Sequence, residues 1–195
     1  MNRLIKGMIA TTILASATLL SGCATSIKAS SASNPAPSEA FSAFGRIEVK
    51  PAVFAAGVEG NDAALGKITE NIQHDLAPSL LDWNQRPQNG RTLVIQPIVE
   101  QMSFKHGAKR VLLGPLAGSS GVLMRFVIKD NNGRLIANPE FFQRAGAMAA
   151  GWTFGVHDNL MLTRVANLST RYVQSNYARA VGGPTGADAP AIEAK

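Results

Sequence analysis

Few side chains in this sequence could do chemistry. There is one thiol, Cys23, and there are three imidazoles, His74, His106 and His157. A metal centre needs ligands at characteristic spacings. None of the three histidines has a second histidine, a cysteine or a carboxylate so placed. His157 and Asp158 are neighbours, but a nucleophilic triad is assembled in space and not by adjacency. The stretch Gly114-Pro115-Leu116-Ala117-Gly118-Ser119-Ser120-Gly121 lacks the lysine that follows the second glycine of a phosphate-binding loop. It also misses the G-x-S-x-G spacing of a hydrolase elbow. The expectation is therefore a non-enzymatic protein with no catalytic residues, no metal and no cofactor.

The thiol has a different context. Arg3 and Lys6 stand at the amino end without an acid, and an apolar run extends from Met8 to Leu20. That is the charged and then apolar layout of a secretory signal, too short to span a bilayer. Leu20-Ser21-Gly22-Cys23 closes it and resembles the bacterial lipobox, an aliphatic residue and two small ones before a cysteine. Small side chains admit the extended chain to a peptidase, and the sulfur can accept diacylglycerol as a thioether. The expectation is cleavage before Cys23 and lipidation of that residue. Each buried CH₂ contributes about 0.8 kcal/mol, so several acyl chains anchor firmly. Ala24 follows. In enterobacterial-type sorting an Asp there retains a lipoprotein at the inner membrane, so Ala24 points to the periplasmic face of the outer membrane.

Formal charge is +6 for the whole chain, and loss of Arg3 and Lys6 with residues 1–22 lowers it by two. A modest positive surplus suits a domain near anionic lipid or polymer. No block of Lys and Arg or aromatic-basic module points to nucleic acid. The single cysteine, if lipidated, leaves no disulfide, so the core must hold the fold without one. Two segments could contact a partner. Lys109 and Arg110 precede Val111, Leu112 and Leu113, a basic-apolar mixture suited to a lipid surface or a protein. Trp152 and Phe154 sit in a glycine- and alanine-rich stretch, where they either plug a tight crossover or mark a contact.

These segments need a scaffold. The composition divides the chain into a signal peptide (1–22), a flexible Ser/Ala/Pro tether (23–43), one domain (44–179) and a disordered tail (180–195). Arg46 to Val53 alternates like a half-buried strand that Pro51 pushes to an edge or ends early. Asn61-Asp62 caps a helix whose apolar face is Leu65, Ile68, Ile72 and Leu76. Pro78 should end or kink it. Thr92 to Lys105 reads as a long strand broken or bulged at Pro97. Val122 to Lys129, a turn at Asp130-Asn131-Asn132-Gly133 and a return from Arg134 to Arg144 form a hairpin, interrupted at Pro139. Asp158 caps a last helix with the stripe Met161, Val165, Leu168 and Tyr172. The order strand, helix, strand, hairpin, helix predicts an α+β fold, a mainly antiparallel sheet with two helices packed on one face.

This layout resembles uncharacterised envelope lipoproteins. The lipobox, the Ser/Pro tether and a helix precede a long strand. The loop Lys109-Arg110-Val111-Leu112-Leu113-Gly114-Pro115-Leu116-Ala117-Gly118 follows, and then the hairpin Lys129-Asp130-Asn131-Asn132-Gly133-Arg134-Leu135-Ile136. It is similar to the domain of unknown function 4410 type, or the neighbouring 3313 type, over residues 44–178. The family usually has an aromatic, glycine-spaced loop where this chain has Pro115 and no aromatic residue. The resemblance implies no known activity and no catalytic residues.

Three functions follow as expectations: an accessory or assembly lipoprotein binding an envelope protein partner, a subunit of an oligomeric export apparatus, and an envelope hydrolase with a dispersed site. Cys23→Ser is predicted to leave an unprocessed precursor without lipid label. Metabolic labelling with a fatty acid checks this, and normal labelling of the variant would refute it.

Overall fold

The computed structural model describes residues 27–104, 120–145 and 156–188. Its elements in chain order are β1 (Ser33–Asn34), a 3₁₀ turn (Phe41–Ala43), β2 (Arg46–Val49), β3 (Val53–Phe54), α1 (Asp62–Asn84), β4 (Thr92–Ser103), β5 (Ser120–Asp130), β6 (Leu135–Ala137), β7 (Glu140–Ala145), α2 (Val156–Ala178) and β8 (Gly183–Pro184). The fold is α+β. In the main sheet β4 and β5 are central and antiparallel. The short β2 and β3 run parallel to β4 on one side, and β6 and β7 pair antiparallel with β5 on the other.

Both helices pack on one face of this sheet. Ile47, Leu93, Ile95, Val99, Val122, Met124, Phe126, Ile128, Phe141 and Ala145 point from the strands into a single core. Ala64, Ile68, Ile72, Leu76 and Trp83 of α1 meet them, as do Met161, Val165 and Tyr172 of α2. Fully burying one such large side chain contributes roughly 1.5–3 kcal/mol. Phe126, Phe141 and Tyr172 stack edge to face in series, with centroids 5.0 and 5.7 Å apart. The helices run parallel: Asn71 meets Thr163, and the Trp83 and Tyr177 rings stack at 4.1 Å.

Local chemistry explains most boundaries. The Asn61 side chain accepts from the N–H groups of Ala63 and Ala64 and so caps α1. Helix α1 then runs through Pro78 to Asn84 instead of ending at the proline. Pro78 is on the exposed side, where water can serve the carbonyl that a proline leaves unbonded. The turn beyond it is held by Trp83 and by Asn84, whose amide accepts from the N–H of Ile47 and donates to its carbonyl. Helix α2 begins at Val156, so Asp158 lies inside it and is not its cap.

Strand β4 is not broken at Pro97. The pair Pro97–Phe126 continues the ladder, and the Phe126 N–H turns the other way, to Pro139. The missing Pro97 N–H therefore faces the gap between β2 and β3, where Pro51 also interrupts the edge. The Gln96 amide bridges that gap by donating to the Pro51 carbonyl. The register shift falls instead between Val99 and Gln101. One extra residue there changes the alternation, so Met102 and Phe104, not Gln101 and Ser103, pack on the core. At the β5–β6 turn, Asp130 accepts from the N–H groups of Asn132 and Arg134, and Gly133 takes φ +82°.

Asn84→Ala leaves two backbone groups of edge strand β2 without their partner. We expect a loss of about 1–2 kcal/mol in urea denaturation, with the amide of Ile47 exchanging faster than the amides of β5.

Candidate functional site

The contact and anchoring residues expected from the sequence, Leu20, Ser21, Gly22, Cys23, Lys109, Arg110, Leu112, Leu113, Trp152 and Phe154, lie outside the described residues. Of the histidines, His74 is on the exposed side of α1, beside Asp75 at 3.4 Å. Among the described residues no group of three or more His, Cys, Asp or Glu side chains could hold a metal ion.

The structure brings together something the sequence reading missed. From Ile27 onward, the segment expected to be a tether is bound to the domain, and the expected tail is bound at least to Ala187. The two meet as a second sheet, β1 with β8. Together they cover the sheet face opposite the helices. Ala29, Leu123 and Phe142 form a small second core there, with Ile27 and Ala187 packed against it.

They also close the outer edge of β6 and β7. The Glu140 N–H donates to the Asn34 side-chain oxygen at 2.7 Å, and the Asn34 amide donates back to the Glu140 carbonyl at 2.8 Å. The Phe142 N–H donates to the Thr185 carbonyl, and the Ser38 N–H donates to the Ile136 carbonyl of β6. Thr185 binds the amino-terminal arm, residues 27–43, in turn, its N–H donating to the Ala32 carbonyl and its hydroxyl to the Ser31 carbonyl. Asn84 on β2 and Asn34 on β7 thus play the same part at opposite rims.

The tail turns back through Asn176. Its buried side-chain oxygen accepts from the N–H groups of Val181 and Gly182, while its amide donates to the carbonyls of Tyr172 and Gly182. Gly182 has φ +77°, and a Cβ there would stand 2.5 Å from the Asn34 carbonyl. The Tyr172 hydroxyl donates to the Pro35 carbonyl, and burial pushes its pKa up to about 12, which keeps the donor protonated.

An ionic cluster fixes the arm's first turn. Arg125 lies between two carboxylates, with Nε 2.5 Å from Glu100 and Nη2 2.6 Å from Glu140. The second Glu140 oxygen accepts from the Ser30 N–H at 2.8 Å and the Ser30 hydroxyl at 2.7 Å. Burial alone would raise the Glu140 pKa. The two Ser30 bonds and Arg125 outweigh it and hold the carboxyl below its ordinary value. Farther along, Glu39 bridges Arg134 and Arg91. Its pKa is also lowered, burial again being overcome by its two guanidinium partners.

These contacts are polar or involve small residues, so apolar periodicity carries no trace of them. The sequence signals were single residues, Asn34 and Asn176, that could pair with backbone. What the arrangement can do is mechanical. It holds Ile27, four positions after Cys23 in sequence, over Gly121 of β5.

No family model matches the chain, and no curated protein matches it. Among solved structures it is similar to a point variant of the PelC dodecamer from Paraburkholderia phytofirmans, at 16% identity over 68% of this chain and 90% of that one, with a TM-score of 0.39. A second PelC dodecamer structure from the same organism matches at 12% identity over 71% and 94%, also at 0.39.

Glu140→Gln removes one charge from the cluster. A carboxylate whose pKa is lowered on folding stabilises above its ordinary value of 4.5 and loses that contribution as pH falls through the lower folded value. We expect the variant to be about 2 kcal/mol less stable at neutral pH and the gap to narrow below pH 4.5. Urea denaturation across a pH series reads it, and a gap independent of pH would be the contrary result.

Proposed function

We propose that this chain is a lipid-anchored lipoprotein of the bacterial envelope, held at the periplasmic face of the outer membrane, that binds a protein partner and does no catalysis. The observation that carries the reading is Leu20-Ser21-Gly22-Cys23 behind a charged and then apolar leader, with no other cysteine in the chain. The structure adds support of a different kind. From Ile27 onward the arm is fastened to the fold through backbone pairing and an ionic cluster, and Cys23 stands four positions before Ile27 in sequence. Arg125, Glu100 and Glu140 form one ionic cluster, and Glu140 of that cluster is engaged in this fastening. No helix among the described residues is long and apolar enough to cross a membrane, so in this reading the acyl chains on Cys23 supply the attachment.

In this reading the partner contacts come from residues 107–121, where Lys109 and Arg110 adjoin Leu112 and Leu113, and from Trp152 and Phe154. A photo-crosslinking amino acid at Leu112, in intact cells, is expected to trap one specific envelope protein. The same residue at Asn132, in the β5–β6 turn, should not trap it. Recovery of only free monomer from the Leu112 position would count against the reading.

A further inference from the structure

We infer that one end of the domain faces the lipid surface: the end where β4 finishes, β5 begins and β7 finishes, with Lys28 and Arg144 turned toward anionic headgroups. This rests on lipidation of Cys23 and specifies how the anchored domain sits. Three residues separate Cys23 from Ile27. A fully extended chain advances at most about 3.6 Å per residue, so Ile27 lies within roughly 14 Å of the lipidated residue. Ile27 itself is half-buried over Gly121, and Gly121 pairs with Ser103 on one side and Arg144 on the other. Three residues farther on, Ser30 is held by Glu140. The chain therefore has little slack in which to turn another surface toward the bilayer. A free tether of twenty residues would have left the orientation open.

The charges agree with this placement. Lys28 and Arg144 are exposed at this end. The carboxylates on the same half of the sheet face, Glu100 and Glu140, share the single cation Arg125, so that cluster keeps one negative charge against the two positive charges of Lys28 and Arg144. The exposed acids Glu59 and Asp62 follow β3, which runs parallel to β4, so they stand at the same end of the sheet but at its other edge, away from β5 and β7. The bilayer should therefore meet the β5–β7 half. Anionic lipid attracts cations within about a Debye length of its surface, roughly 8 Å at physiological salt.

The test uses the full lipidated protein in vesicles of phosphatidylethanolamine and phosphatidylglycerol whose headgroups carry a nitroxide quencher. Single fluorophores are placed through Gln101→Cys, near the proposed face, and Asn132→Cys, at the opposite end of the sheet. Cys23 is occupied by lipid and does not react. Quenching is expected to be several-fold stronger at position 101 than at position 132. Replacing Lys28 and Arg144 together with Gln should weaken it, as should vesicles of phosphatidylcholine alone. Equal quenching at the two positions, or stronger quenching at 132, overturns the orientation. Mass spectrometry of the amino-terminal peptide separates the two claims. If Cys23 carries no lipid the anchor reading fails; if it does and the quenching pattern is absent, only the orientation fails.

Discussion

A strand at the rim of a sheet carries backbone N–H and C=O groups that must be paired, hydrated or hidden. In this protein that requirement decides where both ends of the chain go. Strand β7 is short and lies beside the apolar patch of Leu123 and Phe142. Its rim is completed by an asparagine side chain from upstream and a threonine carbonyl from downstream. Each such bond adds about 1 kcal/mol net, and leaving a buried group unpaired costs more. The opposite rim is handled more cheaply. Asn84 satisfies one residue of β2, two prolines share the gap before β3, and Arg46, Glu48 and Lys50 keep the remainder charged and wet.

The two faces of the sheet are built by different means. The helix-bearing face follows the hydrophobic effect, with alternate strand residues meeting apolar stripes on α1 and α2. The other is held by a few apolar contacts, ion-paired arginines and many backbone pairings. Glu140 sits where these meet: its backbone pairs with Asn34 while its carboxylate joins Arg125 to Ser30. One residue thus ties the arm, the edge and the ionic cluster together.

This difference decided what could be read from the residues. Ile68, Ile72 and Leu76, or Met161, Val165 and Tyr172, repeat with the helical period and were legible, as were the turn at Asp130–Gly133 and the Asn61 cap. Pro78 and Pro97 misled in a specific way. A proline signals a missing donor, but whether that matters depends on what lies opposite: solvent for Pro78, another interruption for Pro97. The segment around Ser30 and Asn34 was read as a tether because serine, alanine and proline form no apolar pattern. The partners that order it are 106 to 154 residues away in sequence. For the candidate site, Leu20-Ser21-Gly22-Cys23 supports an expectation of lipidation, whereas the way the chain is gripped from Ile27 onward left no mark that could be read.

The pairing of β1 with β8 also sets an order of events. A chain emerges amino end first, from a ribosome or through a membrane channel, and some of the arm's partners, Gly183 to Thr185, come late in it. Asn34 can close against Glu140 once β7 is made, but Ser31 and Ala32 lack their partner until Thr185 arrives. The long loop this closes is entropically costly. Closure of the arm is therefore timed by delivery of β8, whose Pro184 comes 150 residues after Asn34.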